Sequence, residues 1–420
     1  MGCGEIDYRI EGKERNYLRD LARKQMEYAH LQIMEERKKR WYRHNDCKQE
    51  FPMVHFEASS VWREIYPQQI CQTEIARKIE HHLFSEIINH DMIDDDRVVA
   101  PFYRMFMDTQ MRLFDQKFEE KHITDSHGRD IGYKYDHLIN DLGNNEVDKL
   151  SDSVFVDNSS KTLEWKEIVE DVIGDILPIR IGIFSPPVYL SYHLVQLMGL
   201  EKMAMFLYDY PDEFHKLMKR MTDDYMAYFR WLEDRSFLYV NNGNDWIGHG
   251  TFGFNTTLLK TDPVKAKNVW GYMNSQETTI ISPLMYEEFF YPYYKRISEE
   301  FGLLNYGCCE PVHNIWNQCV SKYNNLRKVS VSPWCNEYFM GNALRNTNII
   351  YHRKPNPYYI GVGRKFNEDE FRKHILKTIH AARGCRLEIT FRDIYTVEND
   401  ITRPARAVRI VRELLENNWK

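Results

Sequence analysis

The residues best suited to chemistry lie at positions 305–313, which read Asn-Tyr-Gly-Cys-Cys-Glu-Pro-Val-His. This stretch combines thiol, carboxylate and imidazole groups, all of which bind zinc, and catalytic zinc keeps three protein ligands and one open position. A set of ligands drawn from one loop would be cramped. We therefore predict a zinc site in which Cys308 and Glu310 are completed from neighbouring strand ends by Glu337 and His352. The alternative is that the two cysteines are small apolar residues behind a buried strand.

Carboxylates at other strand ends are candidates for acid–base work. Asp245 closes the turn Asn-Gly-Asn-Asp, where it could contact substrate or act as general base. The alternative is an Asx-turn, in which the aspartate bonds its own backbone. With Glu310 and Asp393, it makes up the predicted set of catalytic residues.

Basic side chains at the ends of predicted strands are candidates for binding substrate. Arginine binds carboxylates in a bidentate fashion, and lysine supplies a point charge. The alternatives are an exposed loop for Arg353 and Lys354, and an internal ion pair with Asp393 for Arg392. The predicted substrate-binding residues are His55, Arg104, His249, Arg353, Lys354 and Arg392.

The elements that must position these residues alternate between short apolar runs and amphipathic helices. Predicted strands cover residues 51–56, 97–102, 179–184, 237–240, 303–306, 328–332, 349–352 and 386–391, and one predicted helix covers residues 314–322. Such alternation favours a parallel sheet covered by helices, and a strand count near eight favours a closed (β/α)8 TIM barrel. No glycine-rich phosphate fingerprint follows the first strand, which argues against a dinucleotide-binding fold.

Two segments depart from this alternation. Residues 1–50 are predicted to be an N-terminal helical extension, and residues 51–420 the barrel domain. Within the barrel, residues 115–160 are polar and rich in Asp, Asn and Ser, so we interpret them as an insertion or lid.

Composition limits the class of protein. The chain has 420 residues, a net charge of -6 and 8 cysteines, and it shows neither a signal peptide nor a run of apolar residues long enough for a membrane span. We therefore expect a cytoplasmic protein with free thiols, without a nucleic-acid or membrane partner.

The sequence resembles the uroporphyrinogen decarboxylase-like superfamily. The motifs that carry the resemblance are Gly-Leu-Glu-Lys at 199–202, Tyr-Pro-Asp-Glu at 210–213, Ile-Ser-Pro-Leu-Met-Tyr-Glu-Glu-Phe at 281–289, and Tyr-Gly-Cys-Cys-Glu-Pro at 306–311. The last motif marks a divergent subgroup, with Ser-Pro-Trp at 332–334 and Lys-Pro-Asn-Pro at 354–357. The resemblance implies the TIM-barrel fold, and relatives are often homodimers.

That superfamily has a cofactor-free decarboxylase arm and an arm of zinc-dependent, corrinoid-linked methyltransferases. The arginine-rich segment of the decarboxylases is missing after the first predicted strand, where the chain reads His-Phe-Glu-Ala-Ser-Ser at 55–60. The methyltransferases' His-x-Cys motif reads Tyr306, Gly307, Cys308 here, and Arg392-Asp393 stands where a later Gly-Cys is expected. A different set of metal ligands is therefore implied, with Glu310 as the new member.

The sequence thus predicts a methyltransferase that moves a methyl group between a small methylated substrate and a cobalamin carried by a corrinoid partner protein. A cobalamin-binding motif is missing from the chain, so the partner must supply that cofactor. The alternative is a cofactor-free decarboxylase acting on a polycarboxylate or porphyrinogen, in which arginines and Lys354 hold carboxylates and Asp245 stabilises a cation. A third possibility is a barrel that only binds a ligand. The number of titratable groups at strand ends argues against it.

Overall fold

The computed structural model describes residues 10–48, 51–118, 121–124, 130–183 and 185–419. The strands there are β1 (Met53–Phe56), β2 (Tyr103–Phe106), β3 (Thr109–Arg112), β4 (Lys121–Thr124), β5 (Asp130–Lys134), β6 (Val154–Asp157), β7 (Ile179–Gly182), β8 (Pro187–Val188), β9 (Trp270–Met273), β10 (Leu303–Tyr306), β11 (Leu326–Val331), β12 (Ile350–Arg353) and β13 (Arg386–Phe391). The α-helices there are α1 (Gly12–Ala29), α2 (Gln32–Asn45), α3 (Trp62–Ile65), α4 (Glu74–Ile88), α5 (Glu146–Lys149), α6 (Ser159–Ile173), α7 (Leu190–Met198), α8 (Leu200–Asp209), α9 (Pro211–Asp234), α10 (Pro283–Phe289), α11 (Tyr291–Ser298), α12 (Glu337–Leu344), α13 (Tyr358–Gly361), α14 (Glu368–Ala381) and α15 (Arg403–Asn418).

Seven of these strands form one parallel sheet, in the order β1-β13-β12-β11-β10-β9-β8. All four residues of β10 are buried, as expected for a parallel strand that is covered on both faces. Parallel strands place their carboxyl ends along one edge of the sheet. The loops that follow β1, β9, β10, β12 and β13 therefore meet at that edge, where ligands of such sheets bind.

A second parallel pair joins β2 to β7. Within the described residues, no hydrogen-bonded ladder connects this pair to β1 or β8, the two edges of the larger sheet. The predicted α/β fold with a parallel sheet is confirmed. The closed eight-stranded barrel is not shown by the ladder, which stays open between β8 and β1 in the part of the chain that can be described.

The N-terminal helices α1 and α2 pack on the main body through a separate apolar cluster. Leu18, Trp41 and Leu83 are buried in it, together with side chains of α4 and α6. The Trp41 indole donates to the backbone oxygen of Asp96 at 2.7 Å, and Arg327 donates to the oxygen of Asn45 at 2.6 Å. The predicted N-terminal helical segment is thus present as two helices, and α2 is bonded directly to the body of the protein.

Helix ends follow local sequence signals. The long helix α9 begins with Pro211 and carries Asp212 and Glu213 in its first turn, where proline and acidic residues are favoured. The side chain of Ser282 caps α10 by accepting from the backbone N–H of Met285 at 3.2 Å.

Three local predictions were wrong. Residues 97–102 are not a strand, because the Asp96 carboxylate accepts the Val54 N–H at 2.7 Å in place of a ladder bond, and β2 begins six residues later. Residues 237–240 are not a strand either, since the next residue, Asn241, pairs with the backbone of Trp270 through its side chain. Residues 314–322 do not form the predicted α-helix: they include the end of a short 3-10 turn, Val312–Asn314, and the whole of a second, Val320–Lys322.

The predicted insertion contains the antiparallel pair β4 with β5, and its last strand, β6, pairs antiparallel with β3, which precedes the segment. Part of the segment lies outside the described residues. In the described part of the chain, no helix is both long and apolar enough to cross a lipid bilayer.

Candidate functional site

The centre of the candidate site is the thiol pair after β10. Gly307 has a φ of +97°, a left-handed conformation that turns the chain sharply and leaves Cys308 and Cys309 at the carboxyl edge of the sheet. Their Sγ atoms lie 3.5 Å apart. Ser330 of β11 donates to the Cys308 carbonyl at 2.7 Å, which fixes the backbone of the pair.

The Glu310 carboxylate holds this loop in place through two backbone N–H groups. One carboxylate oxygen accepts the N–H of Cys308 at 2.7 Å, and the other accepts the N–H of Ser275 at 3.0 Å. Burial raises the pKa of Glu310, whereas the two backbone bonds lower it. Because both oxygens are occupied, Glu310 ties the loop after β10 to the loop after β9.

A hairpin of residues 246–252, which we call the inserted hairpin, brings a histidine to the thiols. A bridge between Trp246 and Phe252 closes it, and Asn305 of β10 donates to the Ile247 carbonyl at 3.0 Å. Lys328 of β11 donates to Thr251 at 2.7 Å. The hairpin therefore lies against residues of the seven-stranded sheet.

The tip of the inserted hairpin reads Gly248-His249-Gly250, and all three residues have positive φ, at +100°, +42° and +75°. A Cβ atom on Gly248 would lie 2.5 Å from the Tyr272 ring, and one on Gly250 would lie 2.6 Å from the Thr390 methyl group. Only glycine avoids both the strain and the overlap. The two glycines thus place the His249 ring 4.6 Å from the Tyr272 ring and its Nδ1 3.7 Å from Cys308 Sγ.

Arg392, directly after β13, completes the wall next to His249. Its guanidinium donates to His249 Nδ1 and forms ion pairs with Glu57 at 3.4 Å and Asp393 at 3.3 Å. Burial, followed by the positive charges of Lys354 and Arg392, holds the pKa of His249 well below its usual range. This setting favours the neutral imidazole of His249, whose Nδ1 faces the Arg392 guanidinium.

Lys354 follows β12 and is the cation of the site that lacks a hydrogen-bond partner. Its side chain is buried, and its Nζ bonds to no atom among the described residues. Burial lowers the pKa of Lys354, while the nearby thiols of Cys308 and Cys309 act in the opposite direction. A buried donor without a partner is costly to a fold, and such groups concentrate at functional sites.

The pKa values of the two thiols are shifted in opposite directions. The hydrogen bond from Cys308 lowers the pKa of Cys309 to about 7. The same shared proton, together with burial, raises the pKa of Cys308. Cys309 is therefore the member of the pair that ionises near neutral pH.

Other predicted residues lie elsewhere. Glu337 pairs with Arg353 at 3.2 Å and with Lys377 of α14 at 3.3 Å, between β12 and the helix layer. Arg353 also donates to the Val331 carbonyl at 3.0 Å, and it is buried. These two residues form a structural ion pair and are not brought to the thiols.

Two predicted histidines are buried and held by neighbours. His352 Nε2 lies 2.9 Å from the Thr390 hydroxyl and 3.6 Å from Glu388, and burial holds its pKa well below the usual range. His55 Nδ1 bonds Asp95 at 2.7 Å. Neither bond joins these rings to the thiol pair.

Asp245 and Arg104 belong to a second group of charges. Arg104 pairs with Asp245 at 3.3 Å, and Arg180 pairs with the other oxygen at 3.1 Å. The same carboxylate accepts the Gly243 N–H at 3.1 Å. This bond reaches back along the chain, so it is not the Asx-turn considered from the sequence, which would need a backbone N–H two residues later.

The predicted zinc ligands do not fit a metal. Within the described ranges, no three His, Cys, Asp or Glu side chains are arranged to hold an ion. Of the predicted four, Glu310 holds two backbone N–H groups and Glu337 is in ion pairs. Arg392 and Lys354 also place positive charge beside the thiols. Zinc binding stays a prediction.

Sequence reasoning named His249 but missed how it is placed. The signal was available, because Gly-His-Gly within a polar turn suggests a strained tip. Nothing in the sequence indicated that residues 246–252 would lie against β10 and β11, because that contact depends on tertiary packing. The anchoring of Glu310 by Ser275 was missed for the same reason.

The fold as a whole can be compared with known proteins. It is similar to a solved structure described as a methyltransferase from Methanosarcina mazei, with a TM-score of 0.51 and 10% sequence identity, over 91% of this chain and 99% of that one. No protein-family model and no curated protein matches the sequence. The class defined by fold is thus an α/β protein with a central parallel sheet, similar in architecture to that methyltransferase.

Proposed function

We propose that the chain is a corrinoid-linked methyltransferase, which moves a methyl group between a small methylated substrate and a cobalamin on a partner protein. The observation that carries the proposal is the buried Nζ of Lys354, which has no hydrogen-bond partner in the described part of the chain, close to the paired thiols of Cys308 and Cys309. The similarity in fold to a methyltransferase supports it. The closed TIM barrel belongs to the proposal as well, with β2 and β7 completing the ring between β1 and β8.

The chain's own residues would assist departure of the methyl group. When the methyl–heteroatom bond breaks, the heteroatom keeps the electron pair and develops negative charge. Lys354 would donate a hydrogen bond to that atom, which stabilises the charge in a buried setting. The thiol of Cys309 would then give the heteroatom its proton, since a pKa near the operating pH suits a general acid.

The remaining groups would hold this arrangement. Glu310 fixes the loop through Ser275 and Cys308, and Arg392 fixes His249 against Cys308. The partner's corrinoid, when bound, would supply the nucleophile that takes the methyl group. Asp393 and Glu57 would balance the charge of Arg392.

The proposal is tested by mixing the purified protein with free, reduced cobalamin and methyl donors of three classes: ethers, thioethers and amines. We expect methylcobalamin to form with one class, measured by absorbance and by mass spectrometry. Absence of methylcobalamin with every donor would contradict the proposal. Release of carbon dioxide from uroporphyrinogen would favour the decarboxylase alternative instead.

Metal content is a separate question. Elemental analysis of protein purified without chelator tests whether zinc binds. A stoichiometric ion would show that the thiol loop rearranges to gather ligands, because the described arrangement does not provide three.

A further inference from the structure

A buried cluster of charges lies beside the thiol site and is not used by the mechanism above. It consists of Arg97, Arg104, Arg180, Glu86 and Asp245. Arg97 pairs with Glu86 at 3.4 Å, and Asp245 bridges Arg104 and Arg180. Three guanidinium groups therefore face two carboxylates, which leaves one positive charge unbalanced.

A histidine in the same cluster does not change this balance. The His82 ring lies against the Tyr103 ring at a tilt of 35°, with centroids 3.9 Å apart, and burial lowers the pKa of His82 to about 4. It is neutral at physiological pH. Glu57 also borders the region, but it is paired with Arg392.

Arg104 is buried and has a side-chain donor without a hydrogen bond. The residue is 7% exposed, and its Nε–H has no hydrogen-bond partner among the described residues, although Nε lies 4.0 Å from a Glu86 carboxylate oxygen. Buried arginine donors are nearly always satisfied. An unbalanced charge and a free donor on one side chain indicate that an anion completes the cluster.

A cavity of about 330 Å³ lies next to Arg104. This volume is at the small end of ligand pockets. Aromatic side chains of Tyr66, Phe106 and Trp246 form much of its wall, and Arg97 and Arg104 supply positive charge. Two carboxylates also line the cavity, but Glu86 is paired with Arg97 and Glu57 with Arg392. The lining therefore suits a small organic anion with a planar or apolar body.

The cavity also reaches the thiol site. His249 and Gly250, at the tip of the inserted hairpin, line it, and His249 contacts Cys308 on its other side. A ligand whose anionic end lies at Arg104 would extend toward His249. His249 therefore borders both the cavity and the thiol pair.

We infer that Arg104 and Arg97 form a subsite for a carboxylate, and that the substrate is a small methylated carboxylic acid whose other end reaches His249, the residue that contacts Cys308. The substrate class rests on the proposed function. The carboxylate subsite itself does not, because it can be measured without methyl transfer.

Benzoate and its neutral analogue benzamide are suitable probes, since both fit the cavity and differ in charge. We expect benzoate to bind at least about tenfold more tightly than benzamide in calorimetry, which corresponds to about 1.4 kcal/mol. In crystals soaked with 4-bromobenzoate, the anomalous bromine peak should lie in the cavity beside Trp246. Equal affinity for the two probes, or a peak elsewhere, would overturn the inference.

Two variants provide a matched pair. Both Arg104→Met and Arg180→Met remove one partner of Asp245, but Arg180 does not line this cavity. We expect only Arg104→Met to lose the preference for benzoate. If it does not fold, the comparison of probes on the native protein still decides. Benzoate binding without methyl transfer from any donor would refute the proposed function and leave the subsite standing.

Discussion

Cys309 is the residue whose chemistry is most directly measurable. Because the thiol of Cys308 donates to it, its pKa is lowered to about 7, whereas burial raises the pKa of Cys47. We expect iodoacetamide to alkylate Cys309 with a rate that rises through pH 7, and Cys47 only at higher pH. Mass spectrometry of digested protein separates the two sites.

The variant Cys308→Ala removes the donor. The pKa of Cys309 should then rise toward the ordinary value of about 8.5 for a free thiol. Alkylation near pH 7 should slow accordingly. An unchanged pH profile in the variant would show that the thiol pair does not share a proton.

The pair also fixes the sign of the pH dependence of the proposed reaction. As the proton donor, Cys309 must be protonated, so demethylation of substrate should slow as the pH rises above about 7.

At the residue scale, the sequence identified the reactive loop and the cations near it. It could not indicate that Glu337 and Arg353 would bond each other behind β12, because the direction of a side chain depends on strand register.

The inserted hairpin is the element that carries most of the site geometry. Replacing Gly248 with alanine adds a Cβ that would lie 2.5 Å from the Tyr272 ring at a φ of +100°. We expect Gly248→Ala to cost about 2–4 kcal/mol of unfolding free energy, from overpacking and left-handed strain together. Urea denaturation measures the loss.

Gly363 offers a matched control. Its φ is +87°, but the nearest atom to an added Cβ lies 3.9 Å away, in ordinary contact. Gly363→Ala should therefore cost only the backbone strain, about 1–2 kcal/mol. Equal losses in the two variants would mean that the hairpin does not lie tightly against Tyr272.

At this scale the sequence predicted most elements whose patterns are local. Strand β10 and helix α9 follow from an apolar run and from acidic first-turn residues. Residues 237–240 failed as a strand because one side chain, Asn241, replaces backbone pairing with Trp270. Such a substitution for a ladder bond depends on a contact between distant residues, which periodicity does not report.

The whole molecule depends on its N-terminal helices. Trp41 of α2 is fully buried, its indole bonds Asp96, and His44 lies 3.3 Å from Glu388 inside the protein. We expect Trp41→Ala to lower the unfolding free energy by about 3–5 kcal/mol, the usual cost of a large core truncation. Denaturant unfolding followed by circular dichroism provides the measurement.

The exposed Trp334 serves as a control of the same residue type, because it is 68% exposed. Trp334→Ala should change stability by no more than about 0.5 kcal/mol. Equal changes in unfolding free energy in the two variants would show that packing of α2 contributes little to stability. The predicted division at residue 50 stays a prediction, and the contacts of α2 with Asp96 and Glu388 agree with an extension that packs on the main body.

The general architecture was accessible from the sequence at this scale, because alternating strands and helices restrict the fold to a parallel sheet with covering helices. Closure of the sheet was not accessible. It depends on how β2 and β7 meet the edges β1 and β8, and these contacts join segments far apart in the chain.

The central claim is methyl transfer assisted by Lys354. The direct measurement is the rate of methylcobalamin formation from an isotopically labelled methyl donor, for the native protein, Lys354→Met and the exposed-lysine control Lys365→Met. The account predicts a loss of about 10²–10⁴-fold in Lys354→Met, the range for a general acid–base or charge-stabilising group, and no change in the control. Labelled product formed equally by Lys354→Met and the native protein, or by neither, would contradict it.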